Sequence, residues 1–100
     1  SNQPELWTHY LVYRDLRSRG YIVKEGLSEE IPFRVYPRGS EIGRDTSKYL
    51  IYIVKEGVPI ELTRLDKATT TARGVNKRLI IAVLNRQGET TYYQVSQVNI

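Results

Sequence analysis

The sequence predicts a single α/β domain: a mixed β-sheet flanked by two helices, with elements in the order α-β-β-β-α-β-β. Three observations predict it. A length of 100 residues suits one modest core. Two stretches carry apolar residues at helical spacing, and five shorter ones are rich in β-branched and aromatic residues. The second helical stretch separates "KYLIYIV" from "RLIIAVL", two nearly continuous apolar runs of the kind that fill buried strands. No repeat, low-complexity tract or internal linker interrupts the chain, so residues 1–100 read as one domain.

Pro4 and Glu5 can open the first helix, since proline is tolerated in a first turn and an acid favours its positive end. Leu6, Trp7, Tyr10, Leu11 and Val12 supply its apolar face, Arg17 and Arg19 answer the negative end, and Gly20 terminates it. "YIVKEG" reads as a strand that turns at Gly26. "IPFRVYP" reads as the next, and proline at each end marks it as an edge strand or a short one. "KYLIYIV" belongs in the middle of the sheet. "PIELTRLDKATTTARGVNK" places Leu62, Leu65, Ala68 or Thr69, Ala72 and Val75 at helical spacing. Burial of that stripe has to outweigh the poor helix propensity of Thr69, Thr70 and Thr71. "RLIIAVL", a hairpin turn at "NRQGE" and the returning strand "TTYYQVSQV" close the order.

Composition excludes several classes of function. With no cysteine there are no disulfides and no thiolate metal sites, which fits an intracellular, cytoplasmic protein. No apolar run approaches the length needed to span a membrane. Phosphate-binding glycine loops and zinc spacings are absent, so neither cofactor nor metal is expected. Methionine is missing even at position 1, which points to a processed or excised chain and leaves room for an upstream domain. The net charge of +4 and eight tyrosines favour a nucleic-acid partner, although tyrosines also simply cover strands.

His9, the sole histidine, sits among apolar residues of the first helix and reads as a surface or packing residue. Tyr36 ends a strand beside the loop "PRGSEIGRDTS", and Lys77 stands where the second helix hands over to "RLIIAVL". With the loop folded over that junction, a phenol and an ammonium face one cavity. A phenol can exchange a proton and an ammonium can neutralise a phosphoryl oxygen. Either residue alone is commonplace, and a lysine after a helix also answers its dipole.

Taken together, "YRDLRSRGYIVKEG", "FRVY", "SKYLIYIV", a helix and "KRLIIAVLNRQGETTYYQVS" resemble the C-terminal domain of archaeal tRNA-splicing endonucleases, from about Trp7 to Val98. The resemblance implies a nuclease-like domain, usually preceded by a smaller N-terminal one. It implies metal-independent cleavage of RNA by a tyrosine, a histidine and a lysine, leaving a 2′,3′-cyclic phosphate and a 5′-hydroxyl. By position the tyrosine falls on Tyr36 and the lysine on Lys77, but Thr46 occupies the place of the histidine. A threonine hydroxyl has no useful acidity near neutral pH. An arginine that holds a bulged base in the family corresponds to Thr70, and "SEEIP", with Ser28, Glu29 and Pro32, replaces the family's usual approach to "F-VY".

These departures imply a structural, non-catalytic subunit of a heterotetrameric endonuclease. Its expected partners are a catalytic paralogue and a precursor tRNA carrying a bulge-helix-bulge. Two alternatives stand beside this reading: a catalytic subunit inactivated by substitution at Thr46 or using another acid, and a generic RNA-binding module. The family associates through its last strand, here Tyr93, Val95, Val98 and Ile100, and through an often acidic loop at the position of "NRQGET". In that loop only Glu89 is acidic and Arg86 opposes it, which weakens the expected docking role. A hairpin that merely closes the sheet's own edge is the plainer account of the last strand.

Overall fold

A computed structural model of the chain describes residues 3–95, with side chains from residue 5 onward. The elements are α1 (Gln3–Ser18), β1 (Ile22–Glu25), β2 (Phe33–Tyr36), β3 (Tyr49–Lys55), α2 (Leu62–Gly74), β4 (Arg78–Leu84) and β5 (Thr90–Gln94). The strands form one sheet in the order β1-β2-β3-β4-β5. Only β3 and β4 run parallel, because α2 carries the chain back across the sheet between them. The α-β-β-β-α-β-β order and the mixed sheet expected from the sequence are those observed.

The sheet separates two small cores. Alternation along β3 sends Ile51 to one face, with Val12, Leu16, Val23, Val35 and Ala82. It sends Leu50 and Tyr52 to the other, with Ile31, Ala68, Ala72 and Leu79. Because β3 is buried on both faces, its run is apolar almost throughout. β2 is short, at four residues, and lies between β1 and β3, so its flanking prolines reflect brevity rather than an edge position.

Both helices differ from expectation in which residues they bury. On α1 the stripe Thr8, Leu11, Val12 and Leu16 is buried, whereas Leu6, Trp7 and Tyr10 are 63%, 59% and 49% exposed. Helical spacing explains this, since 8, 11, 12 and 16 share a face that 6 and 10 do not. Trp7 instead stacks on Tyr10 at 5.6 Å. On α2 it is Ala68 and Ala72 that are buried, while Leu62 and Val75 at the stripe's ends are exposed. Thr69 settles into the helix by donating its hydroxyl to the Leu65 carbonyl at 2.9 Å.

Both helices also end in the same way. At α1, Gly20 (φ 91) donates to Arg17 and Tyr21 donates to Leu16, which closes the helix with a left-handed residue. At α2, Asn76 (φ 55) takes that role, donating to Arg73, and Lys77 donates its backbone N–H to Ala72. The second of these caps fixes where the backbone of Lys77 enters β4.

Candidate active site

The loop between β2 and β3 is ordered by its own polar groups. Asp45 accepts the Glu41 N–H at 2.7 Å and returns its own N–H to the Glu41 carbonyl. Ser40 donates both its hydroxyl and its N–H to Pro37. Thus braced, the loop folds toward the α2–β4 junction and bounds a cleft of ≈ 680 Å³. Arg38, Ser40, Asp45, Thr46, Lys48 and Lys77 are among its lining residues. Three cations face a single carboxylate, and that carboxylate is already engaged within its own loop. The cleft therefore favours an anion.

Lys77 is half-buried, and its ammonium donates to the carbonyl and, at 3.0 Å, to the hydroxyl of Ser47. Ser47 is itself buried, so the lysine is held at the mouth of β3 instead of swinging in solvent. Thr46, the preceding residue, is exposed in the same cleft. Tyr36 stands differently. It pairs with Ile22 at the end of β2, is 9% exposed, and is not among the residues lining the cleft. Strand alternation places it on the sheet face that carries Leu50 and Leu79, the face toward which Lys77 also belongs. The cleft thus brings Lys77 and Thr46 together, with Tyr36 packed at its edge.

His9 lies far from this arrangement in the fold. It meets Phe33 edge-on at 5.9 Å and lines a separate concavity with Glu5, Lys55 and Glu61. That is the packing role expected of it. No group of three or more potential metal ligands occurs among the described residues.

Sequence reasoning missed Ser47 and Arg38. A buried serine directly before an apolar strand was the available signal for Ser47, but its partner is thirty positions away. The hairpin loop carries its own surprise. Asn85 accepts the N–H groups of Gln87 and Glu89, and its side-chain amide donates to the Glu89 carboxylate at 3.0 Å. The loop's one acid is therefore engaged inside the turn. Of the residues expected to join chains, Tyr93 is 57% exposed on edge strand β5, and Val95 packs against the α2 core. Val98 and Ile100 lie outside the described residues.

Comparison with known proteins bears directly on this geometry. The family model described as tRNA intron endonuclease, catalytic C-terminal domain, matches residues 6–92. The chain is 43% identical over 93 residues to a tRNA-splicing endonuclease of Methanothermobacter thermautotrophicus, covering 93% of this chain and 55% of that protein. It is 37% identical over 95 residues to the tRNA-splicing endonuclease of Methanococcoides burtonii, covering 95% of this chain and 26% of that one. Against the Thermococcus kodakarensis enzyme the identity is 40%, over 89% of this chain and 51% of the relative. The chain thus spans about half the length of some curated relatives and about a quarter of others.

Proposed function

Because the chain belongs to the tRNA intron endonuclease family, in the part that forms its catalytic C-terminal domain, we propose that it is a structural subunit of a heteromeric tRNA-splicing endonuclease. In this reading it positions a histidine-bearing paralogue so that paired active sites meet the two splice sites of a precursor tRNA. One observation carries the proposal: the residue beside Lys77, where a proton donor is needed, is an exposed threonine. The chain's one histidine lines a different concavity and is no substitute donor for its own cleft.

The chemistry explains why that position matters. Transesterification at a ribose 2′-oxygen needs a base for its proton, charge neutralisation at phosphorus and an acid for the departing 5′-oxygen. In this reading Lys77 supplies the second. Tyr36 corresponds to the base but is packed out of the cleft, and nothing corresponds to the acid. Loss of general-acid help costs about 10²–10⁴-fold. What remains is a cationic cleft suited to holding a phosphodiester without cutting it.

Assembly is proposed through edge strand β5, whose outer side has no strand neighbour among the described residues. The Glu89–Asn85 bond makes the hairpin loop a poor acidic plug for a basic pocket on an opposing subunit. The test is reconstitution. Full-length protein is incubated with bulge-helix-bulge RNA alone, then with a histidine-bearing paralogue, and products are analysed for 2′,3′-cyclic phosphate. Cleavage is expected only in the mixture. Cleavage by the protein alone, abolished by Lys77→Ala, establishes the catalytic alternative instead.

A further inference from the structure

Ser47 gives Lys77 two acceptors at once. Its carbonyl and its hydroxyl both accept hydrogen bonds from the ammonium, the second at 3.0 Å, across thirty positions of sequence. Both ends of this contact are fixed. On one side, the neighbouring Lys48 donates its N–H to Val35 and accepts the N–H of Arg78, so β2 and β4 pin the chain where it enters β3. On the other, the α2 cap holds the backbone of Lys77 through its bond to Ala72. Ser47 is 4% exposed, and it lines the cationic cleft with Arg38, Lys48 and Lys77.

The kind of acceptor decides how much charge the lysine keeps. A carboxylate would hold the ammonium as firmly but would set a negative charge beside it. Among the described residues no carboxylate forms an ion pair with Lys77, and Asp45, the acid of the cleft, accepts the Glu41 N–H. Ser47 offers only neutral dipoles. The lysine thus gives up side-chain freedom before any ligand arrives and keeps its full positive charge. An ammonium has three N–H donors. Two are spent on Ser47, and they set the direction of the third.

We propose that Ser47 is the positioning residue of this cleft: by taking two N–H groups of Lys77, it aims the third at one of the two non-bridging oxygens of a bound phosphodiester. This rests on the reading that the cleft holds an RNA phosphate. It adds that the hold is stereospecific and that Ser47 sets it. A freely rotating lysine acts on a phosphate as a point charge and serves either oxygen equally. A lysine anchored at two of its three donors distinguishes them.

The test uses the assembled complex containing the full-length protein, and bulge-helix-bulge RNA with 2′-methoxy groups at the splice sites, so that binding is read without cleavage. Each phosphate of the bulges is replaced in turn by a methylphosphonate. The two diastereomers are separated, so that one non-bridging oxygen is removed at a time. At one phosphate, one diastereomer is expected to bind about 10-fold more weakly than the other, the scale of a single hydrogen bond to a charged group. Ser47→Ala, which leaves only the carbonyl anchor, should bring that ratio below about 2-fold. Ser47→Thr keeps the hydroxyl and should restore it, whereas Lys77→Met should abolish it. A loss of stability alone weakens both diastereomers alike, so the ratio separates positioning from folding. A second measurement needs no variant: in the isotope-labelled full-length protein, the Lys77 ammonium should give a resolved NMR signal with slow proton exchange, unlike exposed Lys24 and Lys55. A ratio that survives in Ser47→Ala, or an ammonium as mobile as those of Lys24 and Lys55, overturns the proposal. So does equal binding of both diastereomers at every phosphate by the unsubstituted complex. If Lys77→Met leaves RNA binding unchanged, the phosphate reading of the cleft fails as well; if it weakens binding while Ser47→Ala leaves the ratio intact, only the role of Ser47 fails.

Discussion

At the scale of single residues, Thr46 decides the functional reading. Thr46→His places an imidazole in the cleft with Lys77, and cleavage at this subunit's own cleft is expected to rise, toward the lower end of the 10²–10⁴-fold range, because Tyr36 is buried and does not line the cleft. A cleavage assay in a complex whose partner lacks its own histidine measures this. An unchanged rate would mean that the missing imidazole is not the limiting defect. Gly26 offers a purely structural test. A Cβ there would stand 1.8 Å from the Ile31 carbonyl oxygen and 2.6 Å from the carbonyl carbon of Pro32, both backbone atoms that cannot swing away. Gly26→Ala should therefore lose more than about 2 kcal/mol in denaturant unfolding. Asn76 tolerates its left-handed backbone where a β-branched residue would not. Asn76→Gly should leave stability within about 0.5 kcal/mol, whereas Asn76→Val should cost about 1–2 kcal/mol and loosen the entry of Lys77 into the cleft.

Tyr92 gives a pH-dependent prediction. Burial first, then its hydrogen bond to the Asp15 carboxylate, push the phenol well above the ordinary tyrosine range. A folded-state value raised above the unfolded one means that the folded protein holds this proton more tightly. The resulting stability is fully present below about pH 10 and is lost as the pH climbs beyond that point. Tyr92→Phe should cost about 1–2 kcal/mol at neutral pH and flatten the decline above pH 10, as read by chemical denaturation across that range.

At the scale of elements, much was legible in the sequence. The two-faced apolar runs of β3 and β4 announced buried strands, and the helical spacing between them required a crossover. What could not be read was which stripe of α1 turns inward. Leu6, Trp7 and Tyr10 are as apolar as Leu11 and Val12, and only packing against the sheet separates them. The site was legible in part for a similar reason. Tyr36 and Lys77 could be placed at element ends from the strand and helix patterns alone. The Ser47 contact could not, because it depends on register between distant segments. The hydrogen bonds that Lys77 makes to Ser47 also tie the loop to the α2–β4 junction. Lys77→Met should thus speed amide exchange at residues 46–48 while leaving the core strands protected.

At the scale of the whole molecule, intact architecture and an incomplete site point to the same role. Both cores are formed and every element expected from the sequence is present, yet the cleft has cations and no imidazole among its lining residues. In the proposed role such a domain holds a phosphodiester and braces a partner, which would join at edge strand β5. The most direct measurement is the reconstitution assay with purified full-length protein and bulge-helix-bulge RNA. The account predicts no cyclic-phosphate product from the protein alone and rapid product once a histidine-bearing paralogue is added. Product formed without any partner, at a rate that Lys77→Ala abolishes, would contradict it.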